Sequence, residues 1–249
     1  MYLKSIRLAP DLPPNAYYAK LPFVQSMQKN GEPFRFEAPV TMFLGENGCG
    51  KSTLIEALAY NLGLNMEGGS RNFNFPAKEE ISDTRLWDYI QISRETRERD
   101  SFFFRAESMY NVATEIDRQP YLSKYYGGRL LHEQSHGERF LALIQNRLSC
   151  GLYLFDEPEA ALSPTRQMTL LVELQRLVHS GSQIIMTTHS PILMAYPNAK
   201  LYEFSENDMK LSPWDEISQV QVMKSFLNNK QRMLQILLEE NAKQNDASL

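Results

Sequence analysis

The spacing of apolar positions changes several times along this chain, and each change marks a new element. Val40 to Leu44 is a short apolar stretch that runs into Gly45, the pattern of a buried strand. From Ser52 to Leu62 the residues Leu54, Ile55, Leu58, Ala59 and Leu62 recur at three- and four-residue spacing. That spacing predicts a helix, which Gly63 stops. Ser101–Arg105 predicts a strand, Glu138–Leu148 a helix with Phe140, Leu141, Ile144 and Leu148 on one side, and Gly151–Phe155 a second buried strand that ends on carboxylates. A helix follows from Pro164, because proline suits a first helical position, and Gly181 closes its far end. Gln183–Thr188 predicts a third strand.

Strands that alternate with helices imply an α/β fold with a mostly parallel central sheet covered on both faces. Between Gly68 and Asp100 the chain is polar and charge-dense, and its extreme, Arg94–Asp100, reads as the solvated face of a helix. Residues 214–240 predict a closing helical segment, and the polar tail after Asn241 is expected to fray. Neither a repeat nor a linker interrupts the pattern. The expectation is one domain over 1–249, with a small helical lobe over about 79–148.

Composition excludes some classes. At 249 residues, 43% apolar and 22% charged, the chain can bury a sizeable core. Its longest uninterrupted apolar runs, 140–144 and 192–196, fall far short of the roughly 20 residues of a membrane span, so no direct membrane insertion is expected. The opening residues carry no apolar signal core, and two cysteines cannot form a disulfide framework, so a reducing, cytoplasmic setting is expected. The net charge of −4 gives no global footprint for nucleic acid.

The chemistry starts after the first strand. Gly45, Glu46, Asn47, Gly48, Cys49, Gly50, Lys51 and Ser52 form a complete G-x-x-x-x-G-K-[ST] phosphate loop, with Thr53 next to it. Glycines let the loop curl so that backbone N–H groups converge on phosphate oxygens. Lys51 supplies a point charge for the β- and γ-phosphates, and the Ser52 hydroxyl can ligate Mg²⁺. The helix that begins there adds its positive end. Asp156 and Glu157 end the strand that follows Gly151. A carboxylate at that tip suits Mg²⁺, and Glu157 is placed to orient or deprotonate an attacking water. ATP with Mg²⁺ is the expected ligand.

Three further segments narrow the class: Ser135-His-Gly-Glu-Arg139, Pro158-Glu-Ala-Ala-Leu-Ser163 and Thr187-Thr-His189. In order and spacing, residues 41–191 resemble an ABC-type P-loop ATPase: phosphate loop, signature, acidic strand, D-loop, switch histidine. Glu67-Gly-Gly-Ser, Phe104-Arg-Ala-Glu-Ser108, His132–Glu138 and Asp156–Pro164 look closer still to the small stand-alone predicted ATPases of bacteria, AAA-family proteins related to the SMC and OLD classes.

This resemblance implies that two copies sandwich ATP head to tail, with the Ser135 hydroxyl and the Gly137 N–H facing the γ-phosphate on the opposing copy. It implies that His189 contacts the γ-phosphate and helps hold the attacking water. Transporter subunits usually carry glycine where this chain has His136. The usual glutamine that ends a strand between phosphate loop and signature is missing, and Glu107 is expected in its place, as a catalytic and metal-binding residue, with Gln91 the weaker candidate. The adenine-stacking aromatic is left open among Tyr17, Tyr18, Phe23 and Phe36.

The 83 positions from Ser52 to Ser135 cannot hold a long coiled-coil arm as well as the sheet and lobe assigned to them, which excludes an SMC rod. The function expected is an ATP hydrolase that acts as a conformational switch through an ATP-dependent homodimer. A role in DNA repair or phage defence, with DNA or a protein as partner, follows by analogy alone. The alternatives are an ATP-binding subunit of a membrane transporter and an ATP-bound interaction module that does not hydrolyse.

Overall fold

Nine strands form two sheets in the computed structural model, which describes residues 1–71, 85–106 and 135–246, with Met109, Val112, Thr114 and Ile116 between them. They are β1 (Leu3–Leu8), β2 (Phe34–Arg35), β3 (Val40–Leu44), β4 (Ile90–Arg94), β5 (Ser101–Arg105), β6 (Leu152–Asp156), β7 (Gln183–Thr187), β8 (Lys200–Phe204) and β9 (Met209–Leu211). The small sheet is antiparallel in the order β2-β1-β4. The large one runs β5-β6-β7-β3-β8-β9, parallel from β5 through β8 and antiparallel only at β9.

The four strands β3, β5, β6 and β7 are apolar almost end to end and buried over nearly their whole length, as a sheet covered on both faces requires. On one face lies α2 (Lys51–Asn61), preceded in the chain by α1 (Pro22–Asn30). Leu54, Ile55 and Leu58 of α2 share one core with Phe43, Leu152, Leu154 and Ile185. Burying each such side chain contributes roughly 1.5–3 kcal/mol, so packing fixes the helix whose first turn carries Lys51 and Ser52. Phe102, Phe104, Phe155 and Phe140 form a second cluster, with the Phe104 and Phe155 rings stacked 4.7 Å apart and 7° from parallel. Phe140 belongs to α3 (His136–Arg147), so that cluster anchors α3 to β5 and β6. The elements α4 (Pro164–His179) and α5 (Pro191–Met194) complete this part of the chain.

Outside the closing segment 214–240, the expected strands and helices are found within one or two residues of their predicted bounds. Within 79–148, the range of the expected helical lobe, the described residues hold a 3₁₀ turn (Leu86–Tyr89), strand β4 and the expected strand β5, while residues 79–84 and most of 107–134 lie outside the described residues. The described helical residues come after them, at Met109, Val112, Thr114 and Ile116 and then in α3. The run Arg94–Asp100 is not a helix. It leaves the end of β4, and its Glu98 is buried against Arg71 and Arg94.

Contacts divide the chain into two units, Met1–Leu211 and Ser212–Leu249. The second holds a 3₁₀ turn (Trp214–Glu216), α6 (Ser218–Asn228) and α7 (Lys230–Asp246). Asn229, at φ −133°, separates the two helices. Among the described residues α7 is helical to Asp246, five residues past Asn241.

Candidate nucleotide site

The sheet order brings together three segments that are far apart in sequence. β7 lies between β3 and β6, so the phosphate loop after β3, Asp156-Glu157 at the end of β6 and Thr187–His189 after β7 meet at the carboxyl ends of adjacent strands. The register is level: Phe43 pairs with Thr187, Thr187 with Asp156, and Asp156 with Arg105. Open parallel sheets place ligands at this edge.

Two glycines shape the loop. Gly45 has φ +140°, and a Cβ there would stand 2.9 Å from the Phe204 carbonyl oxygen. Gly50 has φ +88°, and a Cβ there would meet Leu21 Cδ2 at 2.7 Å. The loop therefore passes close to the end of β8 on one side and to Leu21 on the other, and any side chain at either position would push it away. Lys51 opens α2 and is 4% exposed. Its Nζ donates to the carbonyl oxygens of Gly45 and Glu46, both at 3.0 Å, which holds the ammonium inside the loop. The Cys49 thiol also faces Nζ, at 3.9 Å, and burial pushes its pKa up.

Asp156 is the hub. Ser52 Oγ donates to its Oδ1 at 3.1 Å and Thr187 Oγ1 donates to the same oxygen at 2.6 Å. Arg105 Nε lies 3.8 Å from Oδ2, while its Nη1 is 2.7 Å from Glu56 Oε1 of α2. Burial raises the Asp156 pKa, and the Thr187 bond, the Arg105 charge and the Ser52 bond each oppose the rise. The result is a dry carboxylate held in place by two hydroxyls and a guanidinium.

Glu157 adopts a left-handed backbone, φ +46°, that a non-glycine residue takes only at a cost of about 1–3 kcal/mol. Its N–H donates to the Thr187 carbonyl at 3.2 Å and to Thr187 Oγ1 at 3.1 Å, and these bonds hold the turn. His189 Nε2 stands 3.2 Å from Glu157 Oε1. Glu159 then fastens the segment after β7: Thr188 Oγ1 donates to its Oε2 at 2.8 Å, and the His189 N–H donates to its Oε1. Burial raises the Glu159 pKa against those two bonds.

Ser135 and Gly137 fall in a second group. Ser135 caps α3, and Gly137 is packed so closely that a Cβ would lie 2.8 Å from the Ala161 carbonyl oxygen and 2.7 Å from Arg166 Nη1. Of the remaining expected residues, Gln91 pairs with Arg7 in the small antiparallel sheet, away from the parallel strand ends where it was sought. Glu107 lies outside the described residues. Three of the four candidate aromatics belong to the core: Tyr18 stacks on Tyr89, Phe23 packs on Phe204 and Phe36 on Phe34. Tyr17 is 61% exposed, four residues before the Leu21 that abuts the loop glycine.

With this geometry in place, comparison with known proteins decides the family. The AAA_23 family, an AAA domain, matches residues 23–247. The chain belongs to that family. Its fold is that of an ABC-type P-loop ATPase, an ABC-ATPase-like nucleotide-binding domain. Among curated relatives it is 29% identical over 175 residues to ABC transporter G family member 2 of Arabidopsis thaliana, covering 62% of this chain and 23% of that protein. It is 23% identical to ABC transporter G family member STR2 of Medicago truncatula, covering 61% and 24%. The chain thus spans about a quarter of the length of these relatives. Among solved structures, the SMC head domain from Thermotoga maritima is similar at a TM-score of 0.46 and 17% identity, covering 86% of this chain and 100% of that one.

Sequence reasoning did not assign Thr187, Glu159, Arg105 or Arg166. Thr187 and Glu159 lay inside segments already singled out, next to His189 and Glu157. Arg105 also lay inside a singled-out phrase, Phe104–Ser108, but its role and that of Arg166 were not legible because their partners come from distant parts of the chain.

Proposed function

We propose that this AAA-family chain is an ATP hydrolase that binds Mg-ATP at the phosphate loop and works as a conformational switch through head-to-tail pairing of two copies. The observation that carries the reading is the convergence of Lys51, Ser52, Asp156, Glu157 and His189 at one sheet edge, with Glu157 and His189 in hydrogen-bond contact.

The Ser52 hydroxyl and the buried Asp156 carboxylate lie 3.1 Å apart, a pair of oxygen donors that fits a hard divalent cation. Ser52 and Asp156 would hold Mg²⁺, which supplies charge neutralisation at the β- and γ-phosphates when bound. Lys51 exchanges its two carbonyl partners for phosphate oxygens, which are stronger acceptors because they are charged. Glu157 orients the attacking water and takes its proton, and His189 holds that carboxylate in place and reaches the γ-phosphate. Tyr17 is the aromatic for adenine, since it alone of the four candidates keeps an exposed ring. The signature group at Ser135 and Gly137 belongs to the site of the opposing copy.

The test is the molar mass of the Glu157→Gln protein by light scattering, with and without Mg-ATP. A dimer formed only with nucleotide, and lost in Ser135→Arg, is the expected result. A monomer under all conditions would overturn pairing of identical copies.

The curated relatives bear transporter names, which favours a second reading, the ATP-binding subunit of a membrane transporter. Among the described residues no helix is long and apolar enough to cross a membrane, and co-purification with a membrane protein would support this reading. A cytoplasmic setting, and DNA repair or phage defence as the process served, remain proposals drawn from the resemblance.

A further inference from the structure

Arg166, in the first turn of α4, reaches back to the signature group. Its Nη1 donates to Ser135 Oγ at 3.0 Å and its Nη2 to Glu138 Oε1 at 2.9 Å. Ser135 gives both its N–H, at 3.0 Å, and its hydroxyl, at 2.7 Å, to Glu138 Oε2. A backbone amide at a helix start, a hydroxyl and a guanidinium therefore all point at one carboxylate. The Gly137 side of the arrangement is closed by contact, since a Cβ there would strike Arg166 Nη1 at 2.7 Å. These bonds lower the Glu138 pKa, the Ser135 hydroxyl contributing most.

Glu138 keeps 56% of its side chain exposed and Arg166 33%, so water competes for the ion pair and an incoming anion can displace it. A terminal phosphate offers the same kind of oxygen acceptors with more charge, and the guanidinium fork matches phosphate in two-point contact. We propose that Arg166 is a specificity-determining residue for the γ-phosphate. Glu138 holds its guanidinium and the Ser135 hydroxyl ready, and both transfer to the γ-phosphate bound on the facing copy. Pairing is then strong with a triphosphate and weak with a diphosphate, which lacks the group Arg166 reads. This inference rests on the composite-site reading above.

The experiment uses the full chain carrying Glu157→Gln, with pairing followed by light scattering against Mg-ATP and Mg-ADP. Arg166→Ala is expected to weaken ATP-driven pairing about 10- to 100-fold, the worth of hydrogen bonds to a charged group, while ATP affinity of the single copy changes less than about twofold. Arg166→Lys should recover part of the loss, because it keeps the charge without the fork. Glu138→Gln should leave pairing equal or tighter, because it frees the donors. If the parent pairs with ATP and Arg166→Ala pairs equally well, the role given to Arg166 is wrong and the composite site stands. If Arg166→Ala and Glu138→Gln weaken pairing equally and lower thermal stability together, Arg166 only braces α3 and the proposal also falls. If the parent never pairs with ATP, the composite site itself is wrong and this inference goes with it.

Discussion

His189 Nε2 and Glu157 Oε1 stand 3.2 Å apart, although 32 positions of sequence separate the two residues. β6 and β7 are neighbours in the sheet, so the first residue past one strand and the second past the other end side by side. The contact joins a carboxylate able to accept a proton to an imidazole able to steady it.

Glu157→Gln keeps the shape of the side chain and removes its basicity. ATP binding should persist while phosphate release slows by about 10²-fold or more, the usual share of a positioned general base. Steady-state phosphate release together with a binding titration would check this, and near-normal turnover would remove Glu157 from the role of base.

Tyr17 gives a separate handle on the base end of the nucleotide. Because its ring is exposed while Tyr18, Phe23 and Phe36 serve the core, Tyr17→Ala should leave folding nearly untouched. If adenine stacks there, ATP affinity should fall by about 1–3 kcal/mol, with the unstacked ring as the only loss. Calorimetric titration measures this directly, and an unchanged affinity would leave adenine without an aromatic among the four candidates.

Gly50 tests how tightly the loop is built. At φ +88°, with Leu21 Cδ2 2.7 Å from where a Cβ would stand, alanine meets both backbone strain and a side-chain clash. Strain of this kind costs about 1–3 kcal/mol, and leucine can yield only by disturbing its own buried packing. Gly50→Ala should lower the melting temperature by several degrees and weaken ATP binding at least tenfold, since loop amides would no longer converge. Circular dichroism and the same titration separate the two effects.

How far the sequence reached follows from where each signal lies. The strand before Gly45, the helix from Lys51 and the strand ending at Asp156 were legible because motif and apolar run stand side by side in the chain. The sheet of β1, β2 and β4 was not, since its short half-exposed strands pair across gaps of up to 91 positions, as between Leu3 and Arg94. Charge misled for the same reason. Arg94–Asp100 looks like a solvated helix, yet Asp100 takes a two-point contact from Arg147 at 2.7 and 2.8 Å and a bond from the Tyr153 hydroxyl at 3.0 Å. Those partners lie 47 and 53 positions on, beyond the reach of any local pattern.

Glu159 ties the segment after β7 to pH. Its carboxylate accepts from Thr188 Oγ1 and the His189 N–H, and burial still raises its pKa above the ordinary 4.5. Asp156 is raised in the same way from 3.8. An acid whose pKa is higher in the fold than in the unfolded chain binds its proton more tightly when folded. Its ionisation therefore costs stability in full above the folded pKa, and that cost is relieved as the pH falls toward the unfolded value. These two groups should make the fold gain stability as the pH drops from neutral toward about 4, until the lowered acids Glu138 and Asp208 begin to act in the opposite sense. Glu159→Gln removes one ionisation, so the slope of melting temperature against pH over that window should flatten. The same variant offers an amide N–H₂ to one of two donors that both need an acceptor, which loosens the backbone under His189. Turnover should then fall about tenfold while ATP affinity holds. A flattened slope with undiminished turnover would show that Glu159 serves the fold alone and leaves His189 in place.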